Sequence, residues 1–134
     1  MRLKLFIIGL ILTFFTLSLQ AQSLFSDMSY DELVQAAKQE KKPYFVDITA
    51  DWCLPCQLMD ETVFQDHLVK KYTAENYLAV QIDAQDFDAL ILKSAYQVTT
   101  LPTILFFNHK GKLIGKEEGL QTGTSFLEIL KQYI

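Results

Sequence analysis

Residues 44–56 read Y-F-V-D-I-T-A-D-W-C-L-P-C. The first six form a near-continuous β-prone run, which predicts a strand buried on both faces. Asp47 interrupts that run. A carboxylate buried without a partner is costly, so its pKa is expected to rise. The chain's two cysteines, Cys53 and Cys56, follow at once, and a helical pattern then resumes through Met59 to about Phe64. Two residues between thiols let them close a disulfide within the first turn of a helix. The helix start also offers the first sulfur unpaired N–H groups and the positive end of the dipole. That environment lowers a thiol pKa from about 8.5 towards neutrality or below. Cys53 is therefore the expected exposed attacking thiol, and Cys56, deeper in the helix, the resolving thiol. Pro55 falls in the first turn, where a missing N–H is tolerated.

Two other uses of the cysteines fit less well. A purely structural disulfide closing so short a loop gains on the order of 2 kcal/mol or less. A metal site needs two more ligands, and only His67 and His109 are available; neither belongs to a ligand-spaced motif, and both are expected at the surface. Asp47, six positions before Cys53, suits a proton acceptor. It would take the proton of Cys56 when Cys56 attacks a mixed disulfide. The alternative is a carboxylate hydrogen-bonded to neighbouring backbone.

Outward from this stretch, residues 29–41 read as a helix. Ser29 caps it, Asp31 and Glu32 fill its first turn, Lys41 and Lys42 sit at its end, and Pro43 stops it. Residues 66–74 read as a helix and 77–83 as a second buried strand. Residues 87–96 read as a helix with Leu90 and Ile91 facing inward. Residues 103–107, T-I-L-F-F, are a third strand, joined by the N-H-K-G turn at 108–111 to a hairpin partner at 112–116. Gly119 reads as a bulge or close-approach position. Thr122 or Thr124 caps a last helix whose apolar face is Phe126, Leu127 and Leu130. The pattern is an α/β layered domain with a mixed central sheet. Pro102 opens the third strand, where no donor is needed. On frequency alone its peptide bond reads as trans, since about 5–6% of X–Pro bonds are cis.

The chain has 134 residues, a net charge of −4 and 50% hydrophobic residues. This bounds it to one domain and excludes disorder as its main state. The acidic balance argues against nucleic-acid binding, which needs a basic face. Two cysteines exclude a disulfide-stapled scaffold and a four-cysteine zinc site. Arg2 and Lys4 precede an uncharged apolar run over residues 5–19, followed by Gln20, Ala21, Gln22 and Ser23. That is the tripartite pattern of a secretory signal peptide. The run is short for a membrane span, which needs about 20 residues. The expectation is a signal peptide over 1–21, cleaved after Ala21 (or after Ser23), and a domain over 22–134. An uncleaved anchor through 5–19 is the alternative, and either way the domain leaves the cytosol.

Taken together, Asp47, the W-C-x-x-C at Trp52 to Cys56, the x-P-T at Leu101 to Thr103, Gly111 and Gly119 resemble the thioredoxin superfamily over about residues 29–134. The stretch from Asp47 to Cys53, followed by Asp60-Glu-Thr-Val-Phe64, is similar to two proteins of that superfamily. One is the periplasmic C-terminal domain of the transmembrane thiol:disulfide interchange reductase, which relays electrons across the bacterial inner membrane. The other is the group of small secreted thioredoxin-like proteins of the same branch. The resemblance implies a thioredoxin fold, with a central mixed sheet of four to five strands flanked by helices. It implies a cis Pro102 beside the disulfide, Cys53 as nucleophile and Cys56 as resolving thiol. Three positions depart from cytosolic thioredoxins: Leu54-Pro55 replaces Gly-Pro, Ala79 stands where a lysine neighbours the buried aspartate, and Thr49 replaces an aromatic.

The implied function is an exported thiol–disulfide oxidoreductase that reduces protein disulfides in the bacterial periplasm. The Leu101 backbone would pair with an extended substrate segment, and Trp52 would shield the site and offer an apolar contact. No organic cofactor or metal is implied, because the disulfide carries the electrons. The implied partners are disulfide-containing exported proteins and a membrane electron-relay reductase as donor, with the protein itself a monomer. A disulfide oxidase or isomerase of the same fold is the alternative within this chemistry. A non-catalytic binding module is the alternative outside it.

Overall fold

The computed structural model describes residues 23–134. The signal peptide expected over 1–21 and the alternative anchor over 5–19 lie outside the described residues. Strand β1, Tyr44–Thr49, has the bounds its composition predicts. It runs parallel to β2, Leu78–Asp83, and antiparallel to β3, Thr103–Phe107, which pairs antiparallel with β4, Leu113–Glu118. The four-stranded sheet has the order β2-β1-β3-β4, so the lower of the two expected strand counts holds.

Among the described residues, five α-helices flank the sheet: α1 Tyr30–Glu40, α2 Leu54–Leu58, α3 His67–Asn76, α4 Phe87–Ala95 and α5 Gly123–Gln132. A π-helical turn, Met59–Val63, continues directly from α2. Their ends follow local chemistry. The Ser29 side chain accepts from the Glu32 N–H while Glu32 reaches back to the Ser29 N–H, a capping box at α1. Asp66 caps α3, and Thr122, rather than Thr124, caps α5.

Alternation along β1 divides the core. Tyr44, Val46 and Ile48 face one side, with Leu33 and Ala37 of α1 and Ala89 and Leu92 of α4; both cysteines join this cluster from beyond the end of β1. Phe45 faces the other, with Met59 and Val63 of the π-helical turn, Val69 of α3, and Phe126 and Leu130 of α5. That second side is rich in rings, with Phe45, Phe64, Phe106 and Phe126 in edge-on or tilted contact at centroid separations of 5.4–6.3 Å.

Two expectations change. Leu90 and Ile91 do not face inward; they are about half exposed, and Ala89 and Leu92 hold the buried positions of α4. Residues 89–92 are apolar throughout, so hydrophobicity alone leaves the helix phase open, and packing on β2 selects the Ala89–Leu92 face. Gly119 is not a close-approach position, since a β-carbon there would meet nothing within 4 Å. Its φ of +85° is the reason for glycine. The bulge in the hairpin lies at Phe106/Phe107.

Candidate active site

β1 ends at Thr49, and a short turn delivers the chain to Cys53, which occupies the N-cap of α2 in extended backbone. The cap is a sulfur: the Cys56 N–H points at Cys53 Sγ across 3.3 Å. Cys53 and Cys56 form a disulfide with Cα atoms 5.3 Å apart. Pro55 sits in the first turn of the helix, where its missing N–H leaves no bond unmade. A sulfur in this position receives a backbone N–H and the positive end of a helical run that extends through the π-helical turn to Val63.

The sequence predicts an open attacking thiol, and the disulfide form is more closed than that. Cys53 is 5% exposed and Cys56 2%. Both belong to a buried cluster that includes Ala50, Ala84 and Val98, with the half-buried Leu101 packed against it. Trp52 behaves oppositely: it is 71% exposed, so its ring is offered to solvent rather than packed over the sulfurs. Leu54, beside it, is exposed as well.

Across the sheet end, the Leu101–Pro102 peptide bond is cis and Pro102 is buried. The Pro102 carbonyl accepts the Gly119 N–H at 2.8 Å, and the Thr103 hydroxyl donates to the Thr100 carbonyl at 2.6 Å. These bonds fix the turn on both sides of Leu101. The Leu101 backbone itself makes no hydrogen bond among the described residues.

Asp47 is buried on the side of β1 that faces the π-helical turn, with 1% exposure. Burial pushes its carboxyl up from 3.8 to about 7, a donated bond from Gln81 acts against that rise, and the nearby Asp60 carboxylate adds to it. Oδ2 accepts from Gln81 Nε2 at 2.9 Å, whereas Oδ1 has no partner among the described residues. The carboxyl is thus not satisfied by neighbouring backbone.

Gln81 and Asp60 are the site residues that sequence reading misses. Gln81 is the register partner of Asp47 across the parallel β1–β2 pair. Its Nε2 donates a second bond to Asp60 Oδ1 at 2.7 Å. The available signal was a polar residue in the middle of the L-A-V-Q-I-D strand, two positions from Ala79. Ala79 itself is buried and supplies no polar group to Asp47. Asp60 lies in the π-helical turn, and no side-chain periodicity announces such a turn. Among the described residues, no group of three or more His, Cys, Asp and Glu is placed to hold a metal ion. His67 is exposed and His109 half-buried.

The sequence model of the thioredoxin-like domain matches residues 30–134. The thiol:disulfide interchange protein DsbD of Escherichia coli is 38% identical over 84 residues, covering 61% of this chain and 15% of that protein. The chain thus spans a small part of the length of that curated relative. A Bacteroides thetaiotaomicron protein named as a candidate disulphide isomerase superposes with a TM-score of 0.71 at 30% identity, over 80% of this chain and 88% of its own. The C-terminal domain of Neisseria meningitidis DsbD in its reduced form gives a TM-score of 0.66 at 20% identity. It covers 78% of this chain and 92% of that domain, a likeness of fold.

Proposed function

The chain belongs to the thioredoxin-like domain family, and we propose that it is an exported thiol–disulfide oxidoreductase that reduces protein disulfides in the bacterial periplasm. The observation that carries this reading is the Cys53–Cys56 disulfide at the start of α2, with the Cys56 N–H aimed at Cys53 Sγ. In the reduced protein the same N–H stabilises a Cys53 thiolate. That thiolate attacks one sulfur of a substrate disulfide, forming a mixed disulfide and expelling the other sulfur as a thiolate. Cys56 then gives its proton to Asp47 and attacks Cys53. The intramolecular disulfide forms as the bond to substrate breaks, and the second substrate sulfur leaves. The substrate gains two electrons and the Cys53–Cys56 pair loses them.

Other features support this reading. Asp47, raised to about 7, is poised to exchange a proton near neutral pH. The unpaired Leu101 backbone, beside cis Pro102, is available to an extended substrate segment as an added strand. Exposed Trp52 offers an apolar contact next to the sulfurs. No organic cofactor or metal takes part. A dithiol donor must return the pair to its reduced form, and a membrane electron-relay reductase suits that role. Export rests on the basic and apolar pattern of residues 1–21. No helix among the described residues is long and apolar enough to cross a membrane. The protein is taken to act as a monomer.

A disulfide isomerase is the second reading, favoured by the 30% identical Bacteroides neighbour. The deciding experiment mixes the reduced protein with a disulfide-bonded protein such as insulin, using wild type and Cys56→Ser. Reduction by wild type and a trapped mixed disulfide on Cys53 in the variant support a reductase. Reshuffling of scrambled disulfides without net reduction supports the isomerase.

A further inference from the structure

Asp47 and Asp60 come from different layers, one from the central strand β1 and one from the π-helical turn that covers it. A single nitrogen joins them: Gln81 Nε2 spends one N–H on Asp47 Oδ2 at 2.9 Å and the other on Asp60 Oδ1 at 2.7 Å. The two oxygens can lie no further apart than those two bonds laid end to end. A carboxamide nitrogen has two donors and no acceptor. That nitrogen is therefore fully committed, with one N–H for each carboxylate. On Asp47 this leaves Oδ1 as the buried oxygen without a partner among the described residues.

Burial is the largest influence on the Asp47 carboxyl, and Gln81 and Asp60 are the polar groups that act on it besides. On β1 its neighbours Val46 and Ile48 point to the other side of the sheet, and its register partner on β3 is Ile104. On β2 it meets Gln81, and from the π-helical turn it meets Asp60. Neither ion pair among the described residues includes Asp47.

We propose that Gln81 is a positioning residue for thiol–disulfide exchange: it clamps Asp47 through Oδ2, so that Oδ1 is the oxygen that receives and returns the resolving cysteine's proton, and it ties that proton to the charge on Asp60. This rests on the proposed role of Asp47 as proton acceptor. A donor on Oδ2 stabilises the charged form of Asp47, while the Asp60 anion opposes it. The two ends of the bridge thus pull in opposite directions. Removing the Gln81 amide makes Asp47 a stronger base that titrates at higher pH. Removing the Asp60 charge makes it titrate at lower pH.

The test follows the Asp47 carboxyl carbon by NMR in the oxidised protein as wild type, Gln81→Met and Asp60→Asn. The pH profile of single-turnover reduction of insulin is measured alongside. Met keeps the length of Gln without its donors. The expected result is an upward shift of about one pH unit in Gln81→Met, the scale of a lost bond to a charged group. A downward shift is expected in Asp60→Asn, with each rate profile moving alongside its titration. A second measurement needs no substitution: the side-chain amide of Gln81 in wild type should change its NMR shift as Asp47 titrates.

An Asp47 titration unmoved in Gln81→Met, or a Gln81 amide indifferent to pH, overturns the proposal. A titration that moves while the rate profile stays fixed also overturns it, because Gln81 then shapes a carboxyl that exchange does not use. If wild type reduces no disulfide at all, the functional reading fails instead, and the Asp47 titration still judges the clamp.

Discussion

Replacing Asp47 by asparagine should stabilise the oxidised protein at alkaline pH and leave it nearly unchanged in acid. The unfolded carboxyl loses its proton near 3.8, whereas the buried one holds it to about 7. Between those values the folded state carries a proton that the unfolded state lacks. Its contribution is therefore fully present below about 3.8 and lost as pH rises through about 7. At about 1.4 kcal/mol per unit, the gap corresponds to about 4 kcal/mol of destabilisation above neutrality. Asparagine has the same shape and still offers an oxygen to Gln81, but the bond loses its ionic assistance, about 1 kcal/mol. The net gain should be about 3 kcal/mol, or about 10 °C in Tm for a domain of this size. The assay is denaturant unfolding of oxidised wild type and Asp47→Asn at about pH 4 and pH 8.5, values that bracket the titration. An equal difference at both pH values, or a variant less stable than wild type in alkali, would refute the reasoning.

Three further substitutions test other links. Cys53→Ser should abolish reduction of insulin without unfolding the domain, as followed by turbidity and circular dichroism, because the attacking sulfur is gone while the short disulfide loop contributes about 2 kcal/mol or less. Gly115→Ala should cost about 1–3 kcal/mol in urea unfolding, since a β-carbon there overlaps the Tyr133 ring, whose hydroxyl donates to Glu117 at 2.7 Å. Ser29→Ala should cost about 1 kcal/mol in the same assay by removing the capping box of α1.

The strands and helix starts were legible because local chemistry decides them. Residues 44–49 and 103–107 are apolar runs too short for helices, and Ser29, Asp66 and Thr122 carry side chains that bond to the N–H groups behind them. The cysteine pair and its place at a helix start were legible for the same reason. The phase of α4 was not, because an uninterrupted apolar tetrapeptide offers two faces and only the tertiary contact with β2 chooses. The partners of Asp47 were hidden for a different reason. Gln81 is 34 residues away in sequence and meets Asp47 only through the register of a parallel pair. Asp60 meets Gln81 from a π-helical turn, 21 residues away in sequence. The near-closure of Cys53 is likewise a product of packing, since the cluster it joins is drawn from segments far apart in sequence.

The most direct test of the proposed function is the reduction potential of the Cys53–Cys56 pair, measured by equilibrating residues 22–134 against glutathione. A value near about −270 mV, that of thioredoxin, is the prediction and marks a protein that gives electrons to substrate disulfides. A value of about −120 to −180 mV, the range of strong oxidants and isomerases, would contradict it and reverse the direction of electron flow.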